Sequence, residues 1–191
     1  MVNMKTTTSK KEKSALKHLI FTLILAVLLI SSFVLIPFSQ IFNPETLNTV
    51  WDCTEAYDNG ERYVTVTIDI AYYTGYDVMT DDEIEYSYYY CISGDDCMFL
   101  MLETENQPEI LSDYTVTGEL VKSDSMFTTM ITSFATDLGW KSSSLLEHTE
   151  SILIDQTGYH PGLYTIIFVL LLILLIISVI YAVHCIRHIL K

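Results

Sequence analysis

Two long apolar stretches enclose a segment in which apolar and polar residues alternate. The first stretch, 19–38, holds 20 residues without a charged side chain, and the second, 163–183, holds 21. A helix needs about 20 apolar residues to cross about 30 Å of hydrocarbon. The pattern therefore predicts two transmembrane helices, short tails at 1–18 and 184–191, and a separate domain at 39–162.

Alternation is clearest in "YVTVTIDIAYY", which begins at Tyr63. Its apolar residues fall on one parity, at Val64, Val66, Ile68, Ile70 and Tyr72. Such alternation is typical of a half-buried β-strand. The glycine in the following "YTGYD" predicts a corner, and the acidic "TDDE" predicts a loop.

The tyrosine-rich "EYSYYYCISGDDCMFLM" predicts a β-hairpin. A loop with an odd number of residues centred on Gly94 gives one wholly apolar face, so this register is favoured. It places Cys91 directly opposite Cys97, at a separation that a disulfide accepts. The alternative is two free cysteines that behave as small apolar residues. Cys53 is left without a partner in either case.

The rest of the central segment predicts further strands and one helix. Tyr114–Lys122 and Ser151–Asp155 are predicted strands. Between them the apolar spacing becomes helical, with Ser123 or Asp124 able to cap the helix and Gly139 able to end it. The predicted fold class is two transmembrane helices plus a β-rich α+β domain, either a small partly open barrel or an α+β sandwich. The order hairpin, strand, helix, strand resembles an oligonucleotide/oligosaccharide-binding (OB) barrel.

Charge sets the orientation and limits the partners. Of the ten Lys and Arg residues, only Arg62, Lys122 and Lys141 lie between the apolar stretches, so both termini are expected in the cytoplasm and the domain outside the plasma membrane. The segment 39–162 carries 23 acidic residues against these 3 basic ones, a formal net charge of −20. This charge excludes nucleic acid as a partner and indicates either a solvated surface or a site for cations or a basic partner.

Two acidic runs are the candidates for a weak cation site. The EF-hand spacing is absent, and His and Cys do not cluster as zinc ligands, so no metal site or cofactor is predicted. The alternative for both runs is a solvated turn. The candidate residues are Asp81, Asp82, Glu83, Asp95 and Asp96.

The sequence offers little for catalysis. "KSSSLLEH" brings Ser142, Ser143, Ser144 and His148 close in sequence, but the G-x-S-x-G pattern of a nucleophile elbow is absent. The chain is therefore expected not to be an enzyme. An envelope hydrolase that depends on His148 is kept as an alternative hypothesis.

The order of motifs resembles a known class of proteins. A Lys-rich tail and an apolar span are followed by "YYTGYD", "YSYYYCISGDDCMFLML", "YTVTGELV" and "FATDLGW". In this order the chain resembles uncharacterised two-pass envelope proteins of Gram-positive gut bacteria. The resemblance implies a membrane location and no assigned activity.

Together these patterns predict a two-pass membrane protein that displays an acidic domain for binding or scaffolding. The expected partners are the lipid bilayer and either another membrane protein or further copies of the chain. The alternative is an accessory subunit of a transporter, channel or envelope complex.

Overall fold

The computed structural model describes residues 16–17, 19–32, 36–104 and 106–189 of the chain. Most of the predicted basic tail, residues 33–35 of the first predicted span and the last two residues lie outside the described residues. The described residues form two compact units, one of residues Ser39–His160 and one of the segments that precede and follow it in the chain.

The helical unit contains two apolar helices, α1 (Leu19–Ser32) and α6 (Pro161–Ile189). Within α6, Pro161–His184 is long and apolar enough to cross a membrane, with a mean hydropathy of 3.4. Helix α1 is apolar but shorter. One candidate membrane helix is therefore found in the described part of the chain, and the second span stays a prediction.

Among the described residues, a hydrogen bond and a ring contact are examples of the contacts that join the segments of the helical unit. The hydroxyl groups of Thr22 and Ser178 hydrogen-bond at 2.6 Å. The rings of Phe38 and Phe168 lie 5.6 Å apart between centroids. From the first contact to the second, the residue number rises in the first segment, from Thr22 to Phe38, and falls in the second, from Ser178 to Phe168. The two segments therefore run antiparallel.

The unit Ser39–His160 is a mixed six-stranded sheet with short helices. A 3-10 turn at Val50–Asp52 precedes α3. The helices are α2 (Phe38–Phe42), α3 (Cys53–Asp58), α4 (Ser125–Asp137) and α5 (Ser142–Glu147). The strands are β1 (Glu45–Leu47), β2 (Tyr63–Thr80), β3 (Glu83–Ser93), β4 (Asp96–Leu102), β5 (Ile110–Lys122) and β6 (Ile152–Asp155).

The sheet closes on itself because strand β2 is long enough to pair with both β3 and β5. The strand order is β1-β2-β3-β4-β6-β5, and β2 also pairs with β5. The first part of β2, up to Tyr72, pairs with β5, and the part from Tyr72 onward pairs with β3. The predicted corner at Gly75 is an irregularity within β2, where the register shifts between Tyr73 and Asp77. The strand itself continues to Thr80.

The register of the tyrosine hairpin differs from the predicted one. Ser93 pairs with Asp96, so the loop has two residues, and Cys91 pairs with Met98 while Cys97 pairs with Ile92. The odd-loop prediction is therefore wrong. It assumed that one apolar face is buried, whereas both faces of this hairpin pack against other parts of the domain.

Two hydrophobic clusters explain why both faces are buried. Tyr89 and Cys91 face the interior cluster of the closed sheet, whereas Tyr88 and Cys97 face a second cluster that helix α4 covers. Helix α4 begins as predicted, since the Asp124 carboxylate accepts a hydrogen bond from the Phe127 amide at 2.8 Å. Such a cap satisfies a backbone N–H that has no partner within the helix.

The alternation of β2 inverts partway along the strand. Ile68 and Ala71 are both buried, so the predicted burial of Ile70 and Tyr72 is wrong: they are 48% and 37% exposed. The inversion falls where Asp113, on the partner strand β5, has a positive φ of 50°. Opposite it the pairing between β2 and β5 skips from Ile68 to Ile70. The register is the same on both sides of this gap, so no residue is inserted, and the left-handed backbone of Asp113 marks the place where the buried parity changes.

Candidate binding cleft

Cys91 and Cys97 do not form the predicted disulfide. They lie on opposite faces of the β3–β4 hairpin, in separate hydrophobic clusters, and both thiols are free and buried. Cys53 is also free and fully buried, in the same cluster as Cys91. All three act as small apolar residues of the core.

The acidic residues of the predicted cation site are divided between two turns. Asp81 and Asp82 form the β2–β3 turn, both with positive φ, whereas Asp95 and Asp96 lie at the β3–β4 turn. Strand β3 separates the turns, and a strand of its 11 residues spans roughly 35 Å. The five residues therefore do not converge. Within the described residues, no group of three or more His, Cys, Asp and Glu side chains could hold a metal ion.

Ser144 and His148 line an open cavity of about 460 Å³ with Asp95, Trp140, Lys141 and Leu145. The serine, the histidine and the aspartate are all exposed. A nucleophilic triad instead needs a base held between the nucleophile and a buried acid. Such an exposed arrangement lacks the fixed orientation that the hydrolase hypothesis requires.

A second cavity, of about 280 Å³, opens between strands β2 and β3. We call it the β2–β3 cleft. Its walls come from the 3-10 turn and the residues before it, from the middle of β2, and from the end of β3. The lining residues are Asn48, Thr49, Val50, Trp51, Thr67, Ile68, Asp69, Ile70, Cys91, Ile92 and Ser93.

Strand pairing explains why the cleft exists. Pairing between β1 and β2 ends at Val66, and pairing between β2 and β3 begins only at Tyr72, opposite Tyr90. Residues 67–71 of β2 and 91–93 of β3 therefore have no strand partner on the sides that face each other, within the described residues. The two strands separate here and leave an open seam in an otherwise closed sheet.

The cleft combines an apolar floor with exposed apolar rims. Val50, Ile68 and Cys91 are buried and belong to the interior cluster, so the cleft reaches the core of the domain. Ile70 and Ile92 stand at the rims and are 48% and 49% exposed. Exposed apolar groups around a concave site are typical of binding surfaces.

The charge in the lining of the cleft is negative. Among the described residues that line it, Asp69 is the one with a charged side chain, and it is exposed. Burial, and next the nearby Asp69 carboxylate, raise the pKa of the Cys91 thiol to about 12. The thiol is therefore neutral at physiological pH and is not an activated nucleophile.

Alkaline solution is expected to destabilise the domain through its buried thiols. Burial raises the pKa of Cys53, Cys91 and Cys97 from 9.0 to about 12. Their contribution to stability is fully present below pH 9 and is lost as the pH rises toward 12, because the unfolded chain releases these protons first. At pH 10.5 the loss is about 2 kcal/mol per thiol. Urea unfolding at pH 8 and 10.5 measures it.

A Cys97→Ala variant is the matched control for this effect. It has one thiol fewer, so its free energy of unfolding should fall less between the two pH values than that of the parent chain. An equal fall in both proteins would show that the Cys97 thiol does not contribute.

Sequence reasoning missed the cleft. Strict alternation predicts Asp69 and Ile70 on opposite faces of a regular strand, and the sequence predicts no element around Trp51. The signal in the sequence is the run of consecutive apolar residues from Ile70 to Tyr73, which is compatible with either parity. The choice between the parities depends on strand β5, which lies about 40 residues further along the chain.

No family model, curated protein or solved structure matches this chain. The resemblance to two-pass envelope proteins stays a prediction.

Proposed function

We propose that this chain is a two-pass membrane protein that displays an acidic binding domain outside the plasma membrane. Helix α6 supports the membrane location, since its apolar side chains are largely exposed and need a hydrocarbon environment. The antiparallel contact between Thr22 and Ser178 supports a second span, because it fits a helical hairpin with both ends on one side. The basic residues at the chain ends support cytoplasmic termini.

The finer fold that we propose for the displayed domain is a small OB-like barrel. The support is the closed circuit of five strands, β2 to β6, around one interior cluster. OB barrels use their strand faces and adjacent loops for binding. Fold analogy alone does not establish a ligand.

The single observation that carries the binding role is the β2–β3 cleft. Two large apolar side chains, Ile70 and Ile92, are exposed in this cleft. They lie on the parts of β2 and β3 that, within the described residues, are not paired with each other. Natural sheet proteins usually cover or charge such edges, because they invite association with another chain. An uncovered edge of this composition is therefore explained by a partner that covers it.

Site-specific crosslinking in living cells tests the proposal. A photoreactive amino acid at Ile92 should crosslink to a partner, whereas the same group at Ile84 should not. Ile84 is the matched control, since it is 41% exposed but lies at the other end of β3. Crosslinking with equal yield from both positions, or from neither, contradicts a binding role for the cleft.

The identity of the partner decides between the two functional hypotheses. A stoichiometric polytopic membrane protein captured through Ile92 would make this chain an accessory subunit. A soluble or surface-attached partner would support an independent display domain.

A further inference from the structure

We infer that the β2–β3 cleft binds an extended, basic polypeptide segment, which adds to the open edge of strand β3 and inserts an apolar side chain. This inference rests on the proposed binding function and names the class of partner. It is carried by the strand edge, the apolar lining and the charge of the cleft.

The open edge of strand β3 provides the backbone partners for such a segment. Backbone N–H and C=O groups are strong hydrogen-bonding groups, and a free strand edge is a template for another strand. Residues 91–93 of β3 are paired with β4 on one side and face the cleft on the other. Recognition of peptides by strand addition uses this arrangement.

The lining provides a place for one side chain of the segment. The cavity of about 280 Å³ is walled by Val50, Ile68 and Cys91, which are buried apolar residues. Trp51 also lines the cavity and is partly exposed. In an extended peptide alternate side chains point the same way, so one apolar side chain can enter while its neighbours stay at the surface.

Charge selects a basic partner over other occupants. Asp69 lines the cleft, and none of the described residues that line it is Lys or Arg. The segment 39–162 has a formal net charge of −20. A second copy of the domain and an anionic lipid surface are both repelled by this charge. A segment that carries Lys or Arg next to its apolar side chain is attracted, and it can pair with Asp69.

A designed peptide tests the inference on the full-length protein in lipid nanodiscs. The probe is an acetylated, amidated heptapeptide that alternates lysine and valine, and binding is measured by isothermal titration calorimetry at 150 mM salt. A glutamate–valine peptide of equal length is the control for charge. The lysine peptide should bind at least about 10-fold more tightly.

Backbone methylation separates strand addition from general charge attraction. Two further lysine–valine peptides carry N-methyl groups, one at alternate positions of one parity and one at the other. Alternate N–H groups of an extended segment point to opposite sides, so only one parity faces the edge of β3. One methylated peptide should therefore lose about 10-fold in affinity, and the other should bind as before. An equal response to both methylation patterns overturns strand addition.

Two protein variants locate the site. Asp69→Asn should weaken binding of the lysine peptide about 5-fold, whereas Asp82→Asn, at the distant β2–β3 turn, should change it less than about 2-fold. Equal effects of the two variants, or no binding of the lysine peptide, overturn the inference. A chain that instead dimerises through the cleft also overturns it.

The outcomes separate this inference from the proposed function. If Ile92 crosslinks a partner in cells but the lysine peptide does not bind, the cleft is a binding site for a different chemistry. If the peptide binds at the cleft but no partner crosslinks in cells, the inferred chemistry holds and the proposed cellular role does not.

Discussion

Replacing Gly118 with valine is expected to destabilise the displayed domain by about 3 kcal/mol. A Cβ atom at this position would lie 2.7 Å from Cγ2 of Ile154 and 2.8 Å from the carbonyl oxygen of Asp155. The second neighbour is backbone of strand β6, so no rotamer change relieves the overlap. Valine is otherwise favoured in strands, so a loss of stability here reports the close approach of β6.

Urea unfolding of the full-length protein in micelles measures this effect through tryptophan fluorescence. The chain has two tryptophans, Trp51 and Trp140, and both lie in the unit Ser39–His160. Ser112→Val is the matched control, since Ser112 is an exposed residue of the same strand. It should change the free energy of unfolding by less than about 0.5 kcal/mol. If Gly118→Val were equally mild, strand β6 would not approach Gly118 as closely as described.

Local patterns of the sequence were sufficient for the regular elements. The helical spacing after Asp124 predicted α4 and its cap, because a helix that packs on one side places its apolar residues three and four positions apart. The first part of β2 was predicted from strict alternation, which requires one buried and one solvated face. Both features depend on neighbours within a few residues.

The register of the tyrosine hairpin could not be predicted in the same way. Tyr88 and Tyr89 are neighbours in sequence and are both buried, in different clusters. A pattern in which every residue is apolar carries no information about parity. The register, and with it the separation of Cys91 from Cys97, is set by helix α4 and by the closed sheet, which contact opposite faces of the hairpin.

The cleft depends on where strand pairing ends, which is a property of distant segments. Strand β1 leaves β2 at Val66 and strand β3 joins it at Tyr72. Neither boundary is marked in β2 by Pro or Gly. The candidate site could therefore be found only after the pairing of three strands was known.

Among the substitutions, Phe99→Ala should have the largest effect on stability, about 4 kcal/mol. Phe99 is fully buried between the sheet and α4. Its ring centroid lies 5.4 Å from that of Phe127 and 6.0 Å from that of Phe134, both on α4, and 6.1 Å from that of Tyr90. Truncation removes these aromatic contacts and leaves a cavity under the helix. A domain of this size is stable by about 5–15 kcal/mol, so the loss is a large share of the total.

Two further variants are controls for Phe99→Ala. Met126 lies on helix α4, but its side chain is 63% exposed. Met126→Ala should therefore lower the free energy of unfolding by less than about 1 kcal/mol. Phe99→Leu keeps most of the apolar volume and should recover more than half of the loss. If Phe99→Ala were no more destabilising than Met126→Ala, helix α4 would not cover this face of the hairpin. The opposite burial of Cys91 and Cys97 would then lose its explanation, because it requires a packed cluster on each face.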